Sequence, residues 1–260
     1  MFVSLSIISL LMFRCLTLAL VALVAPPILA QPLPDLVTDR PDFTESAVVV
    51  PLGHVQVEGG MSFVEDDATD SFSGPELLVR WTLLPRFELR VGAPDYNDVE
   101  GTTGFGDPSL GAKVQFGPFA RWDLGLIATA SLPFGDDAFS SGSVDPELIV
   151  TTAYAQSTRT AYGGQVAVGR DGAADLWVFG ATLVRSIGFP DDAFLFFDER
   201  WGAFSELELT VPERGEAGVF LHLGCTVALS PNAQLDVHFG SGLTDAAPTS
   251  LLGVGFTVRR

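Results

Sequence analysis

The sequence has few basic residues, one cysteine after its first thirty positions, and no long apolar run beyond them. Its 14 Lys and Arg stand against 32 Asp and Glu, which gives a formal charge of −18. This balance argues against nucleic acid and anionic lipid headgroups as electrostatic partners, because both require a basic surface. Cys225 alone makes no intrachain disulfide, and no Cys/His spacing is typical of a metal site, so we expect no cofactor. No later segment approaches the ~18 apolar residues of a transmembrane helix.

The first thirty residues are typical of an export signal. The apolar stretch LTLALVALVA is followed by PPILA-Q, which predicts a signal peptide over residues 1–30, cleaved near Ala30. Arg14 interrupts the apolar pattern, and a start at Met12 would give a more regular signal than Met1. The alternative is a membrane anchor, but the apolar core is about half of the ~20 residues that a spanning helix needs. Without Arg14, 13 basic residues face 32 acidic ones, a net charge of −19.

From Pro51 onward, short segments of alternating apolar and polar residues are separated by turn signals. This period predicts β-strands, and no helical period of useful length appears between them. The predicted strands are 52–64, 75–84, 86–94, 106–117, 120–132, 145–155, 160–170, 175–187, 193–210, 216–229, 234–243 and 250–259.

The connections between these twelve strands alternate in character. Polar loops such as EDDATDSFSG, PDYNDVEGTTGF and PFGDDAFSSGSVD follow strands 1, 3 and 5, and VPERGE and TDAAPTS follow strands 9 and 11. Tight breaks follow strands 2, 4, 6, 8 and 10, namely LPR, GPF, QST, FPDD and SPN. Long loops at one end and short turns at the other are typical of outer-membrane barrels, with the turns and both termini periplasmic. The short connection RDGAAD after strand 7 departs from this pattern.

The two faces of each strand differ in a way that favours lipid on one side. In LLVRWTLLPRFELRVG the apolar series includes Val79, Trp81 and Leu83, while Arg80 and Glu88 lie on the other face. A soluble β-sandwich also alternates and is the fold-level alternative. However, the polar face is rich in Gly and short polar residues, which suits a crowded interior. Aromatic residues also cluster beside the short turns, as in an interfacial girdle: Trp81, Phe87, Phe116, Phe119, Trp122, Tyr154 and Tyr162.

The segment before the first strand carries a specific motif. It reads TDRPDFTES, then a short spacer and P-x-G-H-x-Q-x-E-x-G. This strongly resembles the start of a bacterial outer-membrane "transporter" family that is also labelled "putative MetA-pathway of phenol degradation". The resemblance continues through GFGDPSLGAKVQF and SPNAQLDVHFGSGL to GVGFTVRR, and so covers most of residues 36–260.

The resemblance implies an outer-membrane β-barrel with a transport role, and it supports no claim of enzymatic activity. The expected architecture is all-β: one antiparallel barrel of about 12 strands over residues 51–260, preceded by a polar arm or plug over 31–50. One departure concerns the barrel-assembly machinery, which reads a terminal aromatic residue in such barrels. Here Phe256 is followed by TVRR.

Two sets of residues are candidates for the functional site. In the motif, Asp39, Arg40, Asp42 and Glu45, with Pro41 and Phe43, predict either a plug or floor of the lumen or a loose periplasmic arm. The charges of the inward face form the second set, and they could pack a narrow lumen or favour cations in a wider one. By strand parity the second set contains Glu58, Glu76, Arg80, Glu88, Arg90, Lys113, Glu147, Glu206, His222, Asp236 and His238, together with Asp107, Asp123 and Glu208.

His222 and His238 also permit weaker interpretations. Beside Asp236, one of them could act as a general base in a barrel-borne hydrolase, with Ser241 or Thr226 as a nominal nucleophile. A metal site would need His54 as well, although its strand need not lie beside theirs. GFGDPSLG lacks the lysine and the strand-to-helix setting of a phosphate loop and is interpreted as a loop entering the fourth strand.

The sequence therefore predicts an exported outer-membrane channel or transporter for small molecules, with aromatic or hydrophobic compounds as candidate solutes. Outer-membrane lipid, the solute and the assembly machinery are its expected partners. A plugged structural or adhesive barrel and the hydrolase remain as alternatives.

Overall fold

The computed structural model describes residues 33–66, 69–191 and 197–260, so the predicted signal peptide lies outside the described residues. Within these ranges no helix is long and apolar enough to cross a membrane. The strands are β1 (Val55–Glu65), β2 (Asp70–Gly74), β3 (Leu78–Leu84), β4 (Phe87–Gly92), β5 (Tyr96–Val99), β6 (Thr102–Phe105), β7 (Ser109–Phe119), β8 (Trp122–Ser131), β9 (Asp145–Ala155), β10 (Thr160–Asp171), β11 (Leu176–Gly188), β12 (Trp201–Pro212), β13 (Gly218–Ser230), β14 (Ala233–Gly242) and β15 (Ser250–Arg259).

Twelve of these strands close into an antiparallel barrel. The wall follows the order β1, β3, β4 and β7 to β15, and each strand is hydrogen-bonded to the strands before and after it in this order. Closure comes from β1 and β15, which pair from Gln56↔Arg259 to Glu65↔Ser250. A closed barrel leaves no unpaired edge along its wall, as a strand-built membrane span requires. The predicted all-β class, the antiparallel pairing and the count of twelve are confirmed.

The remaining three strands extend one part of the wall beyond the barrel. β2 pairs with the end of β1, from Ser62↔Ser73 to Glu65↔Asp70, while β5 pairs with β2 and β6 with β5. The prediction that these residues form polar loops is wrong. The breaks at 75–77, 93–95 and 106–108 interrupt three barrel strands, and pairing resumes beyond each break. Glu76 lies in the first break with a φ of 47°, outside the strand conformation.

A second prediction that fails concerns the connection after β11. The sequence suggested a tight FPDD break and a strand from residue 193. Instead β11 ends at Gly188 and β12 begins at Trp201, where pairing starts with Gly188↔Gly202. The connection therefore spans 189–200, of which 192–196 lie outside the described residues. Four residues of the apolar run AFLFF lie outside the described residues, whereas Phe197 to Arg200 are described and do not belong to β12.

The two faces of the barrel wall are sharply different. Trp81 is 46% exposed, whereas its neighbours on the chain, Arg80 and Thr82, are 0% and 1% exposed. The same alternation repeats around the wall, so the interior is polar and the outside is apolar. Outward side chains include Val79, Leu83, Val91, Leu110, Leu124, Leu148, Val150, Val166, Val168, Leu183, Leu207, Leu235, Val237, Phe239, Leu252 and Val254. A continuous apolar exterior around a polar lumen suits a lipid surround.

Candidate functional site: the arm within the lumen

The chain that precedes β1 lies inside the barrel and is bonded to its wall. We call residues 35–50 the arm. Asp39, Thr44, Ala47 and Val50 of the arm are all less than a tenth exposed. Ala47 packs so closely on β8 that a side-chain carbon at Gly125 would lie 3.2 Å from the Ala47 Cα. The arm therefore fills the middle of the lumen.

Charged side chains from four strands converge on Asp39. Its carboxylate accepts hydrogen bonds from Lys113 Nζ at 2.9 and 3.1 Å and from Arg90, and it lies 3.2 Å from an Arg80 guanidinium nitrogen. Arg80 in turn pairs with Glu58 at 2.8 Å and with Glu88 at 2.9 Å. We call this set the Asp39 cluster: Asp39, Glu58, Arg80, Glu88, Arg90 and Lys113.

The Asp39 cluster is electrically balanced only when the arm is present. Its wall residues are two acids and three bases, and Asp39 supplies the third negative charge. Burial by itself raises the pKa of Asp39, but Arg80, Lys113 and Arg90 outweigh burial and hold that pKa well below its usual range. Asp39 therefore remains ionised and neutralises the wall.

On the opposite side, a chain of hydrogen bonds joins the arm to β12, β13 and β14. Arg40 lies 3.2 Å from His238 Nε2, His238 Nδ1 lies 2.8 Å from His222 Nε2, and His222 Nδ1 lies 3.1 Å from Glu206. A guanidinium only donates, so His238 Nε2 must accept a hydrogen bond from Arg40. The His238 proton is then on Nδ1, which donates to His222 Nε2. His222 in turn donates from Nδ1 to Glu206. This sequence of four residues is called the histidine chain below.

The histidine chain returns to the arm at its other end. Glu206 accepts the backbone N–H groups of Phe43 and Thr44, both at 2.8 Å, and the Thr44 hydroxyl at 2.6 Å. The Phe43 ring stacks on His222, with centroids 4.4 Å apart and an interplanar angle of 25°. The arm between Arg40 and Thr44 is thus held at both ends by one set of wall residues.

Glycines in the wall make room for Arg40. Gly60 and Gly255 face each other across β1 and β15. A side-chain carbon at Gly60 would lie 2.5 Å from an Arg40 guanidinium nitrogen, and one at Gly255 would lie 2.3 Å from Arg40 Nε. Within this slot Arg40 pairs with Glu76 at 2.6 Å and approaches Asp236 at 3.4 Å. The glycines of the inward face are therefore a docking surface for the arm.

The arm divides the lumen into two chambers. The outer chamber, at the long-loop end, has a volume of about 860 Å³, and the inner chamber, at the short-turn end, has about 520 Å³. Among the described residues, Glu45 alone lines both. The charged residues around the outer chamber are the acids Glu45, Glu76, Asp95, Asp107, Asp145, Glu147, Asp171 and Glu208 and the bases Arg90 and Arg170.

The predicted site residues divide between the arm contacts and the chambers. Eight of the inward-face candidates belong to the Asp39 cluster or the histidine chain: Glu58, Arg80, Glu88, Arg90, Lys113, Glu206, His222 and His238. Glu76 and Asp236 join them through Arg40. Glu147 and Glu208 instead line the outer chamber, and Asp123 lines the inner one with Pro41 and Asp42. Asp107 is not on a strand but in the break before β7, where it accepts hydrogen bonds from Gly135, Ser140 and Ser141.

Uncharged polar residues that also bind the arm were not singled out from the sequence. Gln165 accepts from the Glu45 N–H at 2.7 Å and donates to the Phe43 carbonyl at 2.9 Å. Thr151 donates to the Glu45 carbonyl at 2.5 Å, and Gln56 donates to the Val37 carbonyl at 2.8 Å. The signal was their inward parity, since buried polar groups are almost always hydrogen-bonded.

The catalytic and metal interpretations find little support in the geometry. Ser241 is exposed and donates to the backbone carbonyl of Thr249, while His222 and His238 are buried in the lumen. His54 bonds the Leu52 carbonyl and joins neither of them. Within the described ranges, no group of three or more His, Cys, Asp or Glu side chains is placed to hold a metal ion.

A closed barrel with an apolar exterior and a charged lumen defines a transmembrane β-barrel of the outer-membrane class. The chain matches the family described as "Putative MetA-pathway of phenol degradation" over residues 38–259, and it belongs to that family. The resemblance inferred from TDRPDFTES is therefore confirmed. Comparison with curated proteins gives no match.

Solved structures share the fold at low sequence identity. An outer membrane channel from Pseudomonas putida F1 is 14% identical with a TM-score of 0.61, and the match covers 86% of this chain and 100% of that chain. The NanC porin is 7% identical with a TM-score of 0.55, and the KdgM porin is 8% identical with 0.54. Each of the two porin matches covers 78% of this chain and 98% of the porin.

Proposed function

We propose that this protein is an outer-membrane channel for small neutral or cationic solutes. The observation that carries the proposal is the pair of chambers on one axis of the barrel, because the charged side chains that line the outer chamber are mostly acids. Rings of carboxylates favour cations and disfavour anions in a pore. A volume of about 860 Å³ also falls within the range of sites that take small organic molecules.

Aromatic compounds are the solute class that the family description favours, since it refers to phenol degradation. The outer chamber offers suitable apolar contacts in Ile127, Ile149 and Phe139 beside its carboxylates. An aromatic solute with a polar or positively charged group would contact both the apolar side chains and the carboxylates of the outer chamber.

The test is conductance of the purified full chain in a planar bilayer across a salt gradient. We expect discrete channels whose reversal potential corresponds to cation selectivity. Phenyltrimethylammonium should produce transient blocks, whereas benzoate should not, because the acidic chamber attracts the first and repels the second. An anion-selective current would contradict the assignment of the acidic chamber to the conduction path.

A plugged barrel that exposes its loops to partners is the second candidate. The hydrogen bonds of the arm to ten of the twelve barrel strands favour it, because such a plug is not displaced easily. Absence of conductance from protein that shows the heat-dependent gel mobility of a folded barrel would establish this candidate and exclude the channel.

A further inference from the structure

The two chambers meet at one side chain of the arm. Glu45 borders the outer chamber together with Arg90 and Gln165, and it borders the inner chamber together with Thr44 and Ser46. We infer that Glu45 is the gate of the conduction path and that its protonation opens the passage between the two chambers. The inference rests on the proposed channel function and identifies the residue that controls it.

The backbone of Glu45 is fixed to the wall. Its N–H donates to Gln165 on β10 at 2.7 Å, and its carbonyl accepts from Thr151 on β9 at 2.5 Å. The neighbouring Thr44 hydroxyl lies 2.5 Å from that of Thr182 on β11. On this side of the lumen the arm is therefore anchored, and only the Glu45 side chain is left to change the width of the junction.

The carboxylate of Glu45 has one direct partner on the wall. Arg90 holds both of its oxygens through a single nitrogen, at 2.8 and 2.7 Å, and Lys113 lies farther away at 3.9 Å. The Glu45 side chain is 23% exposed, whereas the Asp39 side chain beneath it is 5% exposed. Rotating Glu45 breaks one partly hydrated ion pair with the wall and the side-chain hydrogen bond to Asp39 of the arm. Displacing the whole arm would instead break the Asp39 cluster and the histidine chain together.

The charge of Glu45 changes near neutral pH. Burial and then the Asp39 charge raise its pKa to about 7, although Arg90 and Lys113 act in the opposite direction. The groups that face it are Asp39 and Asp42 on the arm, Arg90 on β4 and Lys113 on β7, while β9 and β10 present the uncharged Thr151 and Gln165. The pKa is raised, so Glu45 is ionised above about pH 7 and becomes neutral as the pH falls through that value.

The expected consequence follows from the loss of the ion pair. Ionised Glu45 is held against Arg90 and closes the junction. Neutral Glu45 loses the ion pair with Arg90 and keeps only weaker hydrogen bonds, so its side chain is held less firmly on the wall and the junction widens. At the same time the path loses the negative charge of Glu45, while Arg90 stays paired with Asp39. Acidification should therefore raise conductance and lower cation selectivity.

The experiment compares three full-length proteins in planar bilayers between about pH 6 and pH 8, a range over which the ionised fraction of Glu45 changes about tenfold. The wild type should show a conductance step centred near pH 7. Glu45→Gln should conduct at the level of the acidic wild type throughout, with no step. The matched control is Glu147→Gln, since Glu147 lines only the outer chamber; it should lower cation selectivity and keep the step.

The outcomes separate the gate from the channel. A conducting wild type with an unchanged pH step in Glu45→Gln contradicts the gate and leaves the channel function intact. Loss of the step in Glu147→Gln but not in Glu45→Gln would also overturn the gate. A folded wild type that conducts at no pH would overturn the channel and, with it, the gate.

Discussion

The two sides of the lumen hold the arm by different physical means. The Asp39 cluster uses full charges, three negative and three positive, nearly all removed from water. The histidine chain places two imidazoles between Arg40 and Glu206 and works through oriented hydrogen bonds. Buried charges cost several kcal/mol to desolvate, so they are tolerated only when every partner is present. Substitutions in the Asp39 cluster should therefore lower the stability of the protein more than substitutions in the histidine chain.

Adjacent residues of the arm bind the two different sides of the lumen. Asp39 and Arg40 are adjacent, yet their side chains reach opposite sides of the lumen. Each half of the wall contributes residues that have no adequate partner until the arm enters the barrel. The interior of the barrel and the motif TDRPDFTES therefore form one hydrogen-bonded unit.

The largest effect is expected from Asp39→Asn, which keeps the shape of the side chain and removes its charge. The wall would then bury two acids with three bases, and an uncompensated buried charge costs about 3–5 kcal/mol. We expect the arm to undock, so that the Glu45–Ser46 bond becomes accessible to a glutamate-specific protease, and the urea midpoint of unfolding to fall. Asp198→Asn is the control, because the Asp198–Arg200 pair is exposed and such pairs contribute little to stability.

A second change in the same cluster separates charge balance from other causes. Lys113→Met in the Asp39→Asn background removes the surplus positive charge with a side chain of similar length. We expect the double variant to be more stable than Asp39→Asn alone, measured by the same urea midpoint. If the two losses simply add, charge imbalance is not the reason for the effect of Asp39→Asn.

Much of this arrangement was predictable from sequence, and the reasons are local. Strand periodicity has a period of two, so the side on which Arg80, Glu88 and Glu206 lie followed directly from parity. The motif indicated that Asp39 and Arg40 belong together. Their partners were not predictable, because which inward residues meet depends on how far each strand is shifted around the closed barrel. The breaks that generate β2, β5 and β6 were missed for a related reason: Glu76 adopts a backbone conformation that alternation does not reveal.

A smaller effect is expected from His238→Phe, which interrupts the histidine chain without creating a net charge. It leaves His222 Nε2 and one Arg40 nitrogen without this partner, and an unsatisfied buried polar group costs about 1–3 kcal/mol. His238→Gln should recover part of the loss, since an amide both donates and accepts. His54→Phe is the control outside the lumen, where the lost contact is to the Leu52 carbonyl. A loss from His238→Phe as large as that from Asp39→Asn would contradict the proposed difference between the two sides.

The smallest effect is expected from Gly255→Ala, which adds one carbon to the floor of the Arg40 slot. That carbon would lie 2.3 Å from Arg40 Nε, so the guanidinium must leave the slot and give up its contacts with Glu76 and Asp236. Arg40 is flexible, so we expect the low end of the overpacking cost, about 1 kcal/mol, with the arm still held by Asp39. Gly180→Ala is the matched control, because its nearest neighbour would be 3.7 Å away. Equal urea midpoints for the two alanine variants would mean that the slot does not hold Arg40. If the protease cleaves the arm in Gly255→Ala but not in Gly180→Ala, the histidine chain, rather than the Asp39 cluster, contributes most of the energy that holds the arm.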